Sequence, residues 1–388
     1  MKADFKFDIP LIYHKQFLIS EPHIQYYGNI SDGFPTGRPD DVEKIERNKF
    51  LEIVEQIKAN GNEFNFLLNG VLDEKPPAAF HEYLTWIIRE VKPDIITFSD
   101  PSVYHYILKN FNYTRFEISA ITGISNKRQF DRYISHNQIR PEHINKIVFH
   151  HDVTRSIEGI ANFVKELKSR GIHPRVLVTE SCYYKCPLRS RHYKSFAKAY
   201  SDKNFVNYYQ IHCIAKRLLY PESLLDLSGF LLPEQLAEYY TRTGIDTFKI
   251  SGRSQSARWI NRTATSYLVR KSPENIFEII IFTAPYLVTF GMEIHDLFYL
   301  NNKAYLQLSK DLNAIINPIE KKQYLQEKAV ELFLKGDLRI NDPNSRYDII
   351  NGKLQLIKKG EYLRYLEEKA DKNLKGTIFY KKNFISNA

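Results

Sequence analysis

From about residue 10 to residue 268, short runs rich in β-branched and aromatic residues alternate with longer stretches whose apolar positions recur at helical spacing. That alternation predicts parallel strands joined by crossover helices. Strands are expected at His23–Ile30, Phe64–Asn69, Asp94–Ser99, Arg115–Ser119, Lys146–His151, Arg175–Thr179, Leu224–Leu231 and Asp246–Ile250. Helices are expected near 41–60, 77–92, 101–111, 126–137, 155–170, 190–202, 233–243 and 256–269. Eight such units in about 250 residues match a TIM-like (β/α)8 barrel, an α/β fold whose reactive groups come from the C-terminal ends of the strands. An open doubly wound sheet would alternate in the same way, so the count of eight decides for the barrel.

The pattern changes after about residue 272. Ile276 to Phe290 is mostly apolar and aromatic, Lys303 to Leu334 is amphipathic and helical, and Asn351-Gly352 sits between two short alternating runs as a hairpin turn would. The expected organisation is therefore a barrel over 1–271 and a mainly helical extension with a hairpin over 272–388. Asp100-Pro101 and Ser125-Asn126 read as helix starts, with the polar side chain accepting a first-turn N–H.

Composition narrows the class. Of 388 residues, 43% are hydrophobic and 26% charged, as in a globular protein, although 26 Tyr and 25 Phe make it unusually aromatic. No apolar run approaches the roughly 18 residues of a membrane span, and the N-terminus lacks a signal-like apolar core, so a cytoplasmic location is expected. The formal charge of +10 is compatible with an RNA or other polyanionic partner. No block of consecutive cations concentrates it, and a solvated basic surface accounts for it as well.

The three cysteines change the picture more. Cys182, Cys186 and Cys213 fall within one short segment after the sixth expected strand, and the rest of the chain has none. An odd, clustered set of thiols suits reduced cysteines or a metal centre better than a disulfide framework. Soft thiolates favour an iron–sulfur cluster or zinc, with His192 or His212 as a nearby fourth ligand; alternatively, Cys213 between Ile211 and Ile214 is only a small buried residue. Arg189, Arg191, His192 and Lys194 follow Cys186 and would hold an anionic group or form a solvated helix face.

Other polar residues gather at the expected strand ends: Asn69 and Asp73, Ser99, Ser119 and Thr122, the run His150-His151-Asp152, Glu180, and Lys249, Ser251 and Arg253. Asn69, Ser119, Arg189 and Arg253 are candidates for binding substrate, and His151, His192 and Lys249 for moving protons or charge. Lys249 stands among apolar residues, so an inward-pointing Lys249 requires an anionic partner. Strand alternation would send His150 and His151 to opposite faces. Glycine-rich nucleotide loops, H-E-x-x-H and G-x-S-x-G are all missing, which removes motif support for nucleotide, zincin and serine-hydrolase readings.

Leu231-Leu232-Pro233-Glu234-Gln235-Leu236, leading into Gly244-Ile245-Asp246-Thr247-Phe248-Lys249-Ile250-Ser251-Gly252-Arg253-Ser254-Gln255-Ser256, resembles the U32 peptidases, the collagenase-like barrel proteins. Ser99-Asp100-Pro101, Ile118-Ser119 and the cysteines after the sixth strand agree more loosely. The resemblance implies a TIM-like barrel with a [4Fe–4S] cluster on cysteines, and oxygen-independent hydroxylation of RNA or quinone precursors. The substrate would then be a small molecule, a peptide or an RNA, with a protein partner or electron donor. Two departures stand out: three cysteines occur where the family usually has four, and Ser251 replaces the family's Glu. A peptidase using zinc or a cysteine, and a non-catalytic RNA-binding or accessory subunit with a structural metal, are the alternatives.

Overall fold

The computed structural model describes residues 4–12, 19, 21, 23–30, 45–70, 79–201, 208–253, 255–282, 286–315 and 317–374. Asp73 and Ser254 lie outside them. The chain divides into two units: Met1–Lys203 with Leu227–Pro273 and Ile279–Ile281, and Asn204–Asp226 with Glu274–Glu278 and Phe282–Ala388.

The first unit is a closed, all-parallel barrel of eight strands. Its members are β1 (Lys6–Pro10), β2 (Ile24–Gly28), β3 (Glu63–Leu68), β4 (Ile95–Phe98), β5 (Phe116–Ile118), β6 (Ile144–Val148), β7 (His173–Leu177) and, after an antiparallel ribbon of β8 (Thr179–Tyr183) and β9 (Leu227–Phe230), β10 (Thr247–Lys249). The ring runs β1-β10-β7-β6-β5-β4-β3-β2 and closes where β2 pairs with β1. The eight-strand barrel expected from the pattern is therefore present, with one change of membership. Leu227–Phe230 pairs antiparallel with β8 outside the ring, and the strand that completes the ring is Lys6–Pro10.

Eight helices follow the expected places: α1 (Arg47–Ala59), α2 (Ala79–Trp86), α3 (Pro101–Asn110), α4 (Lys127–His136), α5 (Ile160–Ser169), α6 (Arg189–Ser201) and, after α7 (Tyr208–Leu219), which falls where no helix was expected, α8 (Leu236–Thr243) and α9 (Ala257–Leu268). Apolar stripes such as Phe50, Ile53, Val54 and Ile57 of α1 are buried. Asp100 caps α3 by accepting from Ser102 N–H at 2.9 Å, and Asn126 caps α4 by accepting from Gln129 N–H at 3.0 Å.

Inside the ring, inward positions that commonly carry branched apolar residues carry charges instead. Asp8 accepts from Arg175 at 2.6 Å, and Glu117 accepts from Lys249 at 2.8 Å with Arg175 3.6 Å away. Thr97 lies 2.9 Å from Glu117 and 2.7 Å from Asn65. Lys146 pairs with Glu63 and Gln25. Burial alone would raise Glu117, but Lys249 and Arg175 outweigh it and hold the carboxyl down to about 2. For Asp8 burial wins over Arg175 and Lys249, and its carboxyl is raised. Above this layer Ala120, Val148 and Leu177 form a small buried apolar cluster.

The second unit contains α7, then α10 (Ile294–Leu297), β11 (Phe298–Leu300), α11 (Asn302–Ala314), α12 (Pro318–Lys335), β12 (Leu338–Ile340), the hairpin β13 (Arg346–Ile350) and β14 (Lys353–Lys358), and α13 (Glu361–Leu374). Asn351 and Gly352 both take positive φ at the hairpin turn. Pro318 starts α12 behind the Asn317 cap, which separates the expected single helical stretch into two helices. Arg217 of α7 is fully buried, with its guanidinium 4.5 Å from the Phe282 ring and Nη1 donating to Ser223 O at 2.6 Å. No described helix is long and apolar enough to cross a membrane.

Candidate functional site

The rim at the C-terminal ends of β6 and β7 gathers more polar chemistry than either strand alone would. Strand β6 stops at Val148, and His151–Thr154 form a single 3-10 turn. His150 and His151 therefore escape strand alternation, and their rings stack 4.1 Å apart instead of facing opposite ways. Asp152 Oδ1 accepts from Ser228 Oγ at 2.6 Å and from Lys185 N–H at 3.2 Å, and Oδ2 lies 3.4 Å from His150 Nδ1. Burial alone would raise Asp152, but contact with His150 and the bond from Ser228 overcome it and lower its pKa.

The β8–β9 ribbon brings in the remaining parts. Gly229 of β9 has φ +78°, and a Cβ there would lie 2.6 Å from His151 Cβ and 2.8 Å from Glu180 Cβ. Only glycine lets the ribbon approach this closely, so the same backbone point sets both His151 and Glu180. Glu180 is half-buried, and among the described residues no hydrogen bond or ion pair engages its carboxylate. Arg189, at the start of α6, is 8% exposed; Nη1 lies 2.5 Å from His151 Nδ1, and Nη2 donates to Tyr183 O at 3.1 Å. His151 itself is 1% exposed, and its Nε2 is buried without a hydrogen-bond partner.

The residues singled out from the sequence distribute as follows. His151 and Arg189 are brought into direct contact. Asn69 and Ser119 also meet, Nδ2 to Oγ at 3.5 Å, while Ser119 Oγ accepts from Ile121 N–H at 3.3 Å. Lys249 is in the lumen on Glu117, with its Nζ 4.3 Å from the centre of the Tyr27 ring, which supplies the anionic partner its setting required. Arg253 is in the turn after Gly252, whose φ is +121° and whose missing Cβ makes room for Trp259. His192 lies on α6, its ring beside Tyr193.

Cys182 is on β8 opposite Ser228, and Cys186 is in the turn that follows; neither is in a disulfide, and both are half-buried. Cys213 lies on α7 in the second unit. A [4Fe–4S] cluster is held by four thiolates. The barrel unit supplies two cysteines and the second unit the third. His150, His151 and Asp152 each place one ligand atom within 4.8 Å of the others, a grouping that contains no thiol.

Asp8, Glu117 and Arg175 were not singled out, because isolated charges in short apolar runs look like solvent-facing positions. Glu180 was visible as a strand-end acid, but its pairing with Gly229 depends on a ribbon that only tertiary structure reveals. A cleft of about 290 Å³ beside α4, lined by Thr122, Gln129, Arg132, Tyr133 and His136 among others, shares none of these residues.

No family model matches the chain. Among solved structures, the U32 peptidase Mk0906 aligns over 64% of this chain and 93% of its own, with a TM-score of 0.43 and 12% identity. An uncharacterized protease of Methanocaldococcus jannaschii is 28% identical over 259 residues, covering 64% of this chain and 71% of that protein. In sequence the chain is similar to that archaeal protease. In this chain the ring, the ribbon and the polar rim all belong to one unit.

Proposed function

We propose that the protein is an enzyme that hydrolyses peptide or related amide bonds at the C-terminal rim of its barrel. The observation that carries this reading is the unengaged Glu180 carboxylate, fixed through Gly229 beside the buried His151. A carboxylate so placed serves as general base: it takes a proton from water as the oxygen attacks the amide carbon. It then returns that proton to the leaving nitrogen as the C–N bond breaks. The lumen below is occupied by paired charges and offers no such base. The name of the archaeal relative, a protease, is consistent with this chemistry.

Incubation with a mixed peptide library, read by mass spectrometry, tests the proposal. New termini should accumulate, and Glu180→Gln should lower kcat by about 100-fold or more. Absence of cleavage by folded protein, purified with and without air, would overturn it. Cys182 and Cys186 on the ribbon and its turn favour a second reading, a redox enzyme with a thiolate-bound cluster. Stoichiometric iron and a thiolate-to-iron absorption band in anaerobically purified protein would select that reading instead.

A further inference from the structure

We infer that Arg189 is a positioning residue that fixes His151 as a neutral Nε2–H donor, and that this donor receives the carbonyl oxygen of a bound amide. The inference rests on the hydrolytic reading for its reaction, but its first half is a statement about hydrogen positions alone. A guanidinium has N–H groups and no lone pair to offer. At 2.5 Å from Arg189 Nη1, His151 Nδ1 is therefore the acceptor, and its lone pair is committed. A doubly protonated ring would set N–H against N–H across that contact. The single ring proton consequently sits on Nε2.

Nε2 is the atom left buried without a partner, on a side chain that is 1% exposed. Buried N–H donors are almost always satisfied, and one that is not calls for an acceptor from outside the protein. The ligand must present an acceptor. His151 therefore does not serve as a metal ligand here, although it lies with His150 and Asp152 at ligand-like spacing. One lone pair faces a cation, and the other position carries a proton. Stacking on His150 and the Gly229 contact hold the ring plane, so the N–H direction is set before anything binds.

In the reaction, water adds through oxygen to the amide carbon, and the carbonyl π pair moves onto the carbonyl oxygen. Nε2–H hydrogen-bonds that oxygen and keeps its proton throughout. The proton lost by water goes to Glu180 and then to the departing amine. Charge on the carbonyl oxygen rises in the transition state, so the bond strengthens there and contributes to kcat more than to KM.

The test is nitrogen NMR of histidine-labelled protein, with the His151 signals assigned by their loss in His151→Gln, and acetamide as a carbonyl-bearing probe. The native protein should show His151 protonated at Nε2 and unprotonated at Nδ1, and acetamide should shift the Nε2 signal. Zinc should leave it unmoved. Arg189→Met should yield mixed tautomers and lower kcat about tenfold or more with little change in KM, while His151→Gln, which keeps an N–H donor, should retain more activity than His151→Phe. Nδ1 protonation, a zinc-dependent shift or an unresponsive Nε2 would overturn the inference even if peptides are cleaved. Conversely, the expected tautomer and probe response without any cleavage would remove the hydrolytic reading and leave the carbonyl-binding site standing.

Discussion

Lys249 Nζ reaches Glu117 Oε1 at 2.8 Å inside the barrel, where both side chains are buried. The pair spans two strands that are not neighbours in the ring, β10 and β5. Removing one member leaves the other charge without its partner in a poorly solvated place, which typically costs about 3–5 kcal/mol. Lys249→Met should therefore lower unfolding stability by that order in urea titrations. Lys249→Met combined with Glu117→Gln should cost less than the sum of the single changes. A single Lys249→Met variant that stays stable within about 1 kcal/mol but loses turnover would assign the lysine to chemistry instead.

Acid should reveal the same pair. The carboxyl of Glu117 titrates at about 2 when folded, against an ordinary 4.5. A depressed folded value means that the unfolded chain binds the proton more readily. Its stabilisation is thus complete above about pH 4.5 and is lost as pH falls towards 2. Asp8 acts in the opposite sense, because its raised carboxyl favours the folded state at low pH and loses that advantage as pH rises through its folded value. Denaturant midpoints measured from pH 2 to 6 should fall on acidification in the native protein. The slope should flatten in Glu117→Gln and steepen in Asp8→Asn.

Gly229→Ala should be more damaging than glycine conformation alone explains. Gly61 has almost the same φ, +76° against +78°, but a Cβ there meets nothing within 4 Å. Gly61→Ala is thus a backbone control, expected to cost about 1 kcal/mol. Gly229→Ala adds a collision with His151 and Glu180, and should cost about 1–3 kcal/mol more through displaced packing. Thermal melts of the two variants, with peptide turnover, separate the shared backbone term from the contact at the rim. Equal losses in the two proteins would mean that the ribbon yields without moving either side chain.

Replacing Cys182 and Cys186 with serine should leave hydrolysis within about threefold of native, since neither thiol takes part in the proposed proton transfers. Peptide turnover of the double variant, beside iron content of anaerobic preparations, is the measurement. Joint loss of iron and of activity would transfer the function to a cluster.

Much of the barrel was legible in the sequence because its helices are amphipathic and its strands are apolar on their outward faces. The Asp100 and Asn126 caps and the Asn351-Gly352 turn were legible for the same local reason: each depends on a few consecutive residues. Lys249's requirement for an acid was also readable from its neighbours, although Glu117, distant in sequence, was not. Strand β1 escaped because Lys6 and Asp8 interrupt its apolar pattern, and the partner of Asp8, Arg175, is distant in sequence. Leu227–Phe230 has a good strand sequence, and nothing local says that it pairs antiparallel with the continuation of β7. The His150–His151 stack escapes the sequence because β6 ends three residues earlier than expected, at Val148, and alternation no longer governs residues beyond the strand.

The ring closes through five residues near the N-terminus, Lys6–Pro10, which hydrogen-bond to β10 on one side and β2 on the other. A closed ring has no exposed margins, whereas seven strands in the same order have two, each a row of unsatisfied backbone groups open to pairing with another chain. Those few residues thus separate a self-contained barrel from a sheet prone to self-association. Processing or fusion that displaced them would threaten solubility before it reached the rim.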